Sequence, residues 1–300
     1  MLRTSGPLSS AMSRRTLLMA GTATATALIT AAPARASDGV TDGLRALEEQ
    51  YGARLGIYAH NVRTGATVRY RADTLFPTCS LFKTLAAAAV LRDLDRDGEV
   101  LSRLIRYTAD DLVENSDVTR EHLAMGMTIA ELCEAAICQS DNTAGNLLLR
   151  ELGGPTAITG FARSLGDPVT RLDRWETALN SGEPWRITDT TSPRAIGRTY
   201  ARLVLGDALS RPDRALLTGW LLHNQTSSTR LRAGLPSSWA VADKTGGGSY
   251  GTNNNVGVAW TQDGTPLVLS LMSRKFDQAA ASENKLIADT ARLLADVLRR

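Results

Sequence analysis

Alternating, strand-type hydrophobicity is found only toward the two ends of this 300-residue chain, and that placement restricts the fold more than any other feature. Arg54 to Asn61 and Ala66 to Tyr70 alternate around Arg63-Thr64-Gly65, a hairpin signal. The pattern returns at Val241–Thr245, Val256–Thr261 and Pro266–Met272, with Asp263-Gly264 turning between the last two. From Ser80 to about Leu222 the apolar spacing is helical, broken at Asp97-Gly98, Gly153-Gly154-Pro155 and Gly166-Asp167-Pro168. A helix over Thr41–Tyr51, with Thr41 as its cap, precedes the first strand, and a last helix runs from about Ala279 to Leu298. Strands at both ends with helices between predict a mixed α/β (α+β) domain from residues 37–78 and 222–300, and an inserted helical domain from residues 79–221. One stretch, residues 171–193, has no sustained periodicity but carries Arg174, Trp175, Glu176, Asn180, Trp185 and Asp189. A non-periodic segment that long is usually functional or disordered, and its two tryptophans and the flanking helices predict an ordered, compact loop.

Residues 1–36 stand apart from this pattern. Ser13-Arg14-Arg15-Thr16-Leu17-Leu18 precedes an apolar run and then Ala34-Arg35-Ala36, a small-x-small cleavage site. Paired arginines before such a run read as a twin-arginine export signal, which makes Ser37 the mature start and the protein secreted or periplasmic. Leu17 to Ala32 is short and mildly apolar for a membrane span, so no stable anchor is expected after processing. Cleavage removes four arginines and no acid, taking the formal net charge from +3 to −1. That balance lacks the basic footprint of a nucleic-acid binder. The three cysteines, Cys79, Cys133 and Cys138, read as buried thiols; the last two sit five apart in one helical pattern, a poor separation for a bridge.

The chemistry begins at Ser80-Leu81-Phe82-Lys83, where a hydroxyl and an amine three residues apart open the apolar run Leu81–Leu91. On a helix those two residues share a face, so the amine can take the hydroxyl proton and activate a serine nucleophile without histidine. Ser282-Glu283-Asn284-Lys285 has the same spacing, and for Ser282 a helix cap or an exposed first-turn position is the plainer reading. Ser140-Asp141-Asn142 lies at a helix boundary, and Lys244-Thr245-Gly246-Gly247 ends a strand with glycines that permit close backbone approach. His60, His122 and His223 are scattered, lack metal-ligand spacing and have no Gly-x-Ser-x-Gly partner.

Ser-x-x-Lys, Ser-Asp-Asn and Lys-Thr-Gly in this order resemble the motif set of class A serine β-lactamases and penicillin-binding proteins. Ser282 cannot head such a series, because only 18 residues follow it. The resemblance runs from about Leu44 to the C-terminus and includes Gly126-Met127-Thr128, Ala144-Gly145-Asn146-Leu147-Leu148 and Arg174-Trp175-Glu176-Thr177-Ala178-Leu179-Asn180. It implies a five-stranded antiparallel sheet flanked by helices, with the active site between sheet and helical insertion. It further implies hydrolysis of penicillins and cephalosporins by a monomeric enzyme that needs no cofactor or metal. In that reading Ser80 is the nucleophile, Lys83 and Glu176 share the base role, and Ser140 protonates the departing ring nitrogen. Lys244, Thr245 and Arg230 hold the substrate carboxylate, Asn142 and the Gly247 backbone hold its side-chain amide, and Asn180 partners Glu176 on the water. Ser80 and Gly247 N–H groups form the oxyanion hole. The resemblance also pairs Arg174 with Asp189 across the loop, useful as a clasp only if partly buried.

Several positions depart from that family's pattern. Thr177 stands in place of a proline, Asn115 in place of a cleft-rim aromatic, and Asn253 in place of an arginine that Arg230 replaces. A D,D-peptidase would form the same acyl-serine without a deacylating carboxylate, and a silent sensor would keep the motifs without turnover. Glu176 is the residue that separates the D,D-peptidase from a β-lactamase, whereas turnover separates the sensor.

Overall fold

In a computed structural model, residues 38–299 are described; the expected export signal over residues 1–36 lies outside them. The chain runs α1 (Asp38–Tyr51), β1 (Arg54–Asn61), β2 (Thr67–Tyr70), β3 (Phe76–Pro77), a 3-10 turn at Cys79–Leu81 and α2 (Phe82–Ala89). It continues through β4 (Leu104–Ile105), α3 (Asp117–Glu121), β5 (Met127–Thr128), α4 (Ile129–Cys138), α5 (Asn142–Glu151), α6 (Thr156–Ser164) and a 3-10 turn at Ala178–Ser181. β6 (Thr190–Thr191), α7 (Pro193–Val204), α8 (Arg211–Leu222), α9 (Leu231–Gly234), β7 (Ala240–Gly248), β8 (Thr252–Trp260), β9 (Pro266–Arg274) and α10 (Asn284–Leu298) complete it.

The strands from both ends form one antiparallel five-stranded sheet in the order β2-β1-β9-β8-β7. Alternation decides which face each residue serves. Ile57 lies opposite Leu271 and Ala59 opposite Leu269, and these pack with Val40, Leu44, Leu286, Ile287 and Leu294 of α1 and α10. Val256, Val258 and Met272 belong instead to the larger core built around α2, α4 and α5. At the centre of that core every residue of α2 is buried, Lys83 included.

Several expected boundaries move. Thr41 is not a cap, since α1 starts at Asp38. The last helix starts at Asn284, not Ala279, with the Glu283 carboxylate accepting the Lys285 N–H at 3.4 Å. Ser282 is therefore exposed coil, neither cap nor first-turn residue. β7 and β8 extend through Gly246–Gly248 and back to Thr252, because Asn253, Asn254 and Asn255 are buried yet bonded: Asn254 Nδ2 donates to the Pro77 carbonyl at 2.8 Å and Asn255 Nδ2 to Asp243 at 2.6 Å. The insertion expected to be all-helical also contains a two-residue ladder, β4 with β5.

Candidate active site

The nucleophile motif sits where the edge strand β7 passes the 3-10 turn before α2. A side chain on Gly246 would place its Cβ 3.2 Å from the Thr78 carbonyl oxygen and 3.4 Å from the Ser80 nitrogen, so the close passage depends on glycine. Non-glycine residues at the site adopt left-handed backbone, among them Cys79 at φ 45° and Ser140 at φ 62°. Such conformations cost on the order of 1–3 kcal/mol each and persist where surroundings impose them. Here they turn Ser80 and Ser140 toward a shared cleft of about 680 Å³.

Lys83 lies under the cleft floor with no solvent exposure. Its Nζ is 3.0 Å from Ser80 Oγ, 2.8 Å from the Ser140 carbonyl, 2.6 Å from Asn142 Oδ1 and 3.1 Å from Glu176 Oε1. The amine thus sits at the centre of four oxygens that share its N–H donors, with Ser80 Oγ placed to exchange a proton with either Lys83 or Glu176. Burial pushes the Lys83 pKa below its usual value, while the Glu176 carboxylate opposes that shift.

Glu176 reaches the nucleophile from the loop over residues 171–193. Ser80 Oγ lies 3.3 Å from its Oε1, and Asn180 Nδ2 donates to its Oε2 at 2.6 Å. The backbone of Glu176 is gripped at both ends by Asn146 of α5: its N–H donates to Asn146 Oδ1 at 2.9 Å, and its carbonyl accepts from Asn146 Nδ2 at 3.0 Å. The Glu176–Thr177 peptide is cis. The tryptophans of this loop give it little buried cover: Trp185 is 74% exposed and Trp175 43%. Order comes from Asp189, 1% exposed, which accepts from the Asp173 and Arg174 N–H groups at 2.7 and 3.0 Å. It also pairs with Arg174 Nε at 2.5 Å, so the clasp is partly buried.

Across the cleft, buried Lys244 donates to Ser140 Oγ at 2.9 Å and to the Thr245 carbonyl at 3.0 Å. Ser140 thus touches one lysine through its carbonyl and the other through its hydroxyl. Burial, then repulsion from Lys83 and Arg230, holds the Lys244 pKa well below the ordinary lysine value. Arg230 lines the cleft; its Nε donates to Asn284 Oδ1 at 3.0 Å, and its buried Nη1 has no partner among the described residues. Thr245 meets Thr226 through their hydroxyls. All ten residues expected from the sequence converge here: Ser80, Ser140, Asn142, Asn180, Arg230, Thr245 and Gly247 line the cleft, with Lys83, Glu176 and Lys244 beneath them.

Three neighbours were not singled out from the sequence: Asn146, Thr226 and Asn284. Only Asn146 carried a signal, an amide in a helix interior next to the apolar run Leu147–Leu149, where asparagine is disfavoured unless its side chain has a task. Cys79, Cys133 and Cys138 are free and buried. His122 and His223 are exposed, and His60 bonds Thr67. Among the described residues no cluster of three or more His, Cys, Asp or Glu could hold a metal, and no helix is long and apolar enough to cross a membrane.

A model of the β-lactamase enzyme family matches residues 39–298. The chain is 58% identical over 295 residues to a β-lactamase of Streptomyces fradiae, covering 95% of this chain and 96% of that one. It is 56% identical over 312 residues to a β-lactamase of Streptomyces albus G, covering 97% and 99%. The solved structure of a β-lactamase from Streptomyces albus G superposes with a TM-score of 0.85 at 59% identity, over 86% of this chain and 99% of that one.

Proposed function

The chain belongs to the β-lactamase enzyme family, and from that premise we propose that it is a class A serine β-lactamase, hydrolysing penicillins and cephalosporins through an acyl-serine and conferring resistance to them. The observation that carries this reading is Glu176 Oε1 at 3.3 Å from Ser80 Oγ, with its second oxygen fixed by Asn180. A carboxylate so held can first accept the serine proton and later activate water, which a D,D-peptidase reading leaves without a role.

Ser80 Oγ forms the new bond to the lactam carbonyl carbon while its proton passes to the Lys83–Glu176 pair. The carbonyl oxygen takes the negative charge, stabilised by the N–H groups of Ser80 and Gly247; loss of one such donor typically lowers the rate by about 10²–10³. The C–N bond then breaks, and Ser140, bonded to Lys244 and next to Lys83, delivers the proton to the ring nitrogen. In the second half, Glu176 takes a proton from water, whose oxygen attacks the ester carbon. The ester C–O bond breaks and Ser80 regains its proton. Asn180 Oδ1, buried with no partner among the described residues, is an acceptor available to that water. Arg230, Lys244 and Thr245 face the substrate carboxylate, and Asn142, with one amide N–H committed to the Glu114 carbonyl, has the other for the substrate amide. We extend the proposal to the organisation of the chain: residues 1–36 direct twin-arginine export and are removed, and the mature protein acts as a monomer, secreted or periplasmic, with its cleft between a 37–78/222–300 domain and a 79–221 domain.

Stopped-flow hydrolysis of a chromogenic cephalosporin tests the reading. Many turnovers per enzyme are expected, abolished by Ser80→Ala and unchanged by Ser282→Ala. Activity that survives Ser80→Ala but not Ser282→Ala contradicts it.

A further inference from the structure

A second groove, of about 670 Å³, lies away from the cleft where α7 meets the β1–β2 hairpin. Sheet register and helix periodicity bring its lining together. Tyr58 is opposite Arg69, and His60 is opposite both Thr67 and Val268, so these side chains emerge on one face of the sheet. Arg198, Ala201 and Arg202 of α7 and its C-cap Leu205 follow i, i+3, i+4, i+7 spacing along the facing side. The result is an apolar floor rimmed by three arginines and a histidine, with no acidic residue in the lining.

Some arginines elsewhere on this molecule are paired with acids, as in Arg71–Glu48, Arg103–Glu151, Arg150–Asp111 and Arg194–Asp73, while others, such as Arg106, Arg163 and Arg214, bond backbone carbonyls. Arg69 and Arg198 have no acidic partner among the described residues, and Arg202 bonds only the Leu165 carbonyl. The acids of the adjoining cavity are committed: Asp73 to Arg194 at 2.6 Å, and buried Asp167 to the hydroxyls of Thr170 and Thr199. The C-terminal dipole of α7 amounts to about half a negative charge, which three guanidinium groups outweigh.

We propose that this groove is a second ligand site, taking an amphipathic organic anion whose carboxylate or phosphate head pairs with Arg69, Arg198 and Arg202 and whose aliphatic body covers the floor of Tyr58, Val268 and Leu205. Guanidinium groups bind either head in bidentate fashion, and the groove has the volume of an ordinary small-molecule site. His60 stacks on Tyr58 at 6.4 Å between ring centres and bonds Thr67 Oγ1 at 2.9 Å, which places it as a reporter inside the groove. Its pKa is lowered by burial, opposed by the Ala66 backbone, and lowered further by repulsion from Arg198 and Arg69.

The test is a titration of the purified protein with decanoate, decyl phosphate and neutral decyl glucoside, each below its micelle concentration, followed by NMR of the three histidines. A saturable shift of His60 with at least one of the two anions, and a rise in the His60 pKa on binding, are expected; the tighter anion identifies the head. Arg69→Ser combined with Arg198→Ser should weaken that binding about tenfold or more, with cephalosporin hydrolysis and Tm kept. No saturable response to either anion, equal affinity for the glucoside, or unchanged affinity in the double variant overturns the site.

Discussion

At the residue scale, the site depends on small groups that hold others in place. Asn146 never touches the proposed reacting atoms, yet both its amide ends hold the backbone of Glu176. Asn146→Ala removes two hydrogen bonds that together contribute about 1–3 kcal/mol. Its expected effect is a larger fall in deacylation than in acylation, where Lys83 shares the base role, read as a larger pre-steady-state burst above a reduced kcat. A uniform fall in both steps would refute this division. Ser80, Lys83, Ser140 and Lys244 could be picked out from the sequence as candidates because their groups are chemically distinctive, whereas Glu176, Asn180, Asn142, Thr245, Gly247 and Arg230 were implied only by the family resemblance. Asn146, Thr226 and Asn284 could not be picked out, because their importance lies in which distant atom they meet: Asn284 is 54 positions from the Arg230 it holds.

At the element scale, α2 and α5 meet so closely that one glycine sets the position of the amine. A Cβ on Gly145 would come within 2.9 Å of Lys83 Cε and 3.3 Å of Phe82 Cζ. Gly145→Ala is therefore expected to displace the Lys83 side chain and destabilise the fold by about 1–3 kcal/mol, as overpacking does. Urea unfolding together with kcat checks this; a variant with wild-type stability and rate would show that the helices give way freely. Strand cores were legible because alternation survives translation into structure. The ends of β7 and β8 were not, because glycine and asparagine disfavour strands on their own, and only buried partners such as Pro77 and Asp243 reverse that preference. In the loop over residues 171–193 the buried Asp189 holds the backbone, a role that no local pattern announces, while the tryptophans stay largely exposed.

At the scale of the whole molecule, strands from both ends close one sheet, and its edge strand β7 carries Lys244 up to Ser140 on the helical side. Holding that lysine buried has a pH signature. Its folded pKa lies well below the ordinary 10.5, so between those values the unfolded chain binds more protons and stability rises with pH. Wild type should gain on Lys244→Met by up to about 1.4 kcal/mol per pH unit as pH rises through that window toward the unfolded value. Parallel stability curves for the two proteins would contradict a depressed Lys244. The central claim concerns Glu176, which is proposed to turn acylation into hydrolysis. Intact-mass spectrometry during reaction with a penicillin measures it directly: wild type should return to its unmodified mass with product released, while Glu176→Gln should accumulate a one-to-one acyl adduct. A stable adduct on wild type without turnover, or an unchanged deacylation rate in Glu176→Gln, would contradict the account.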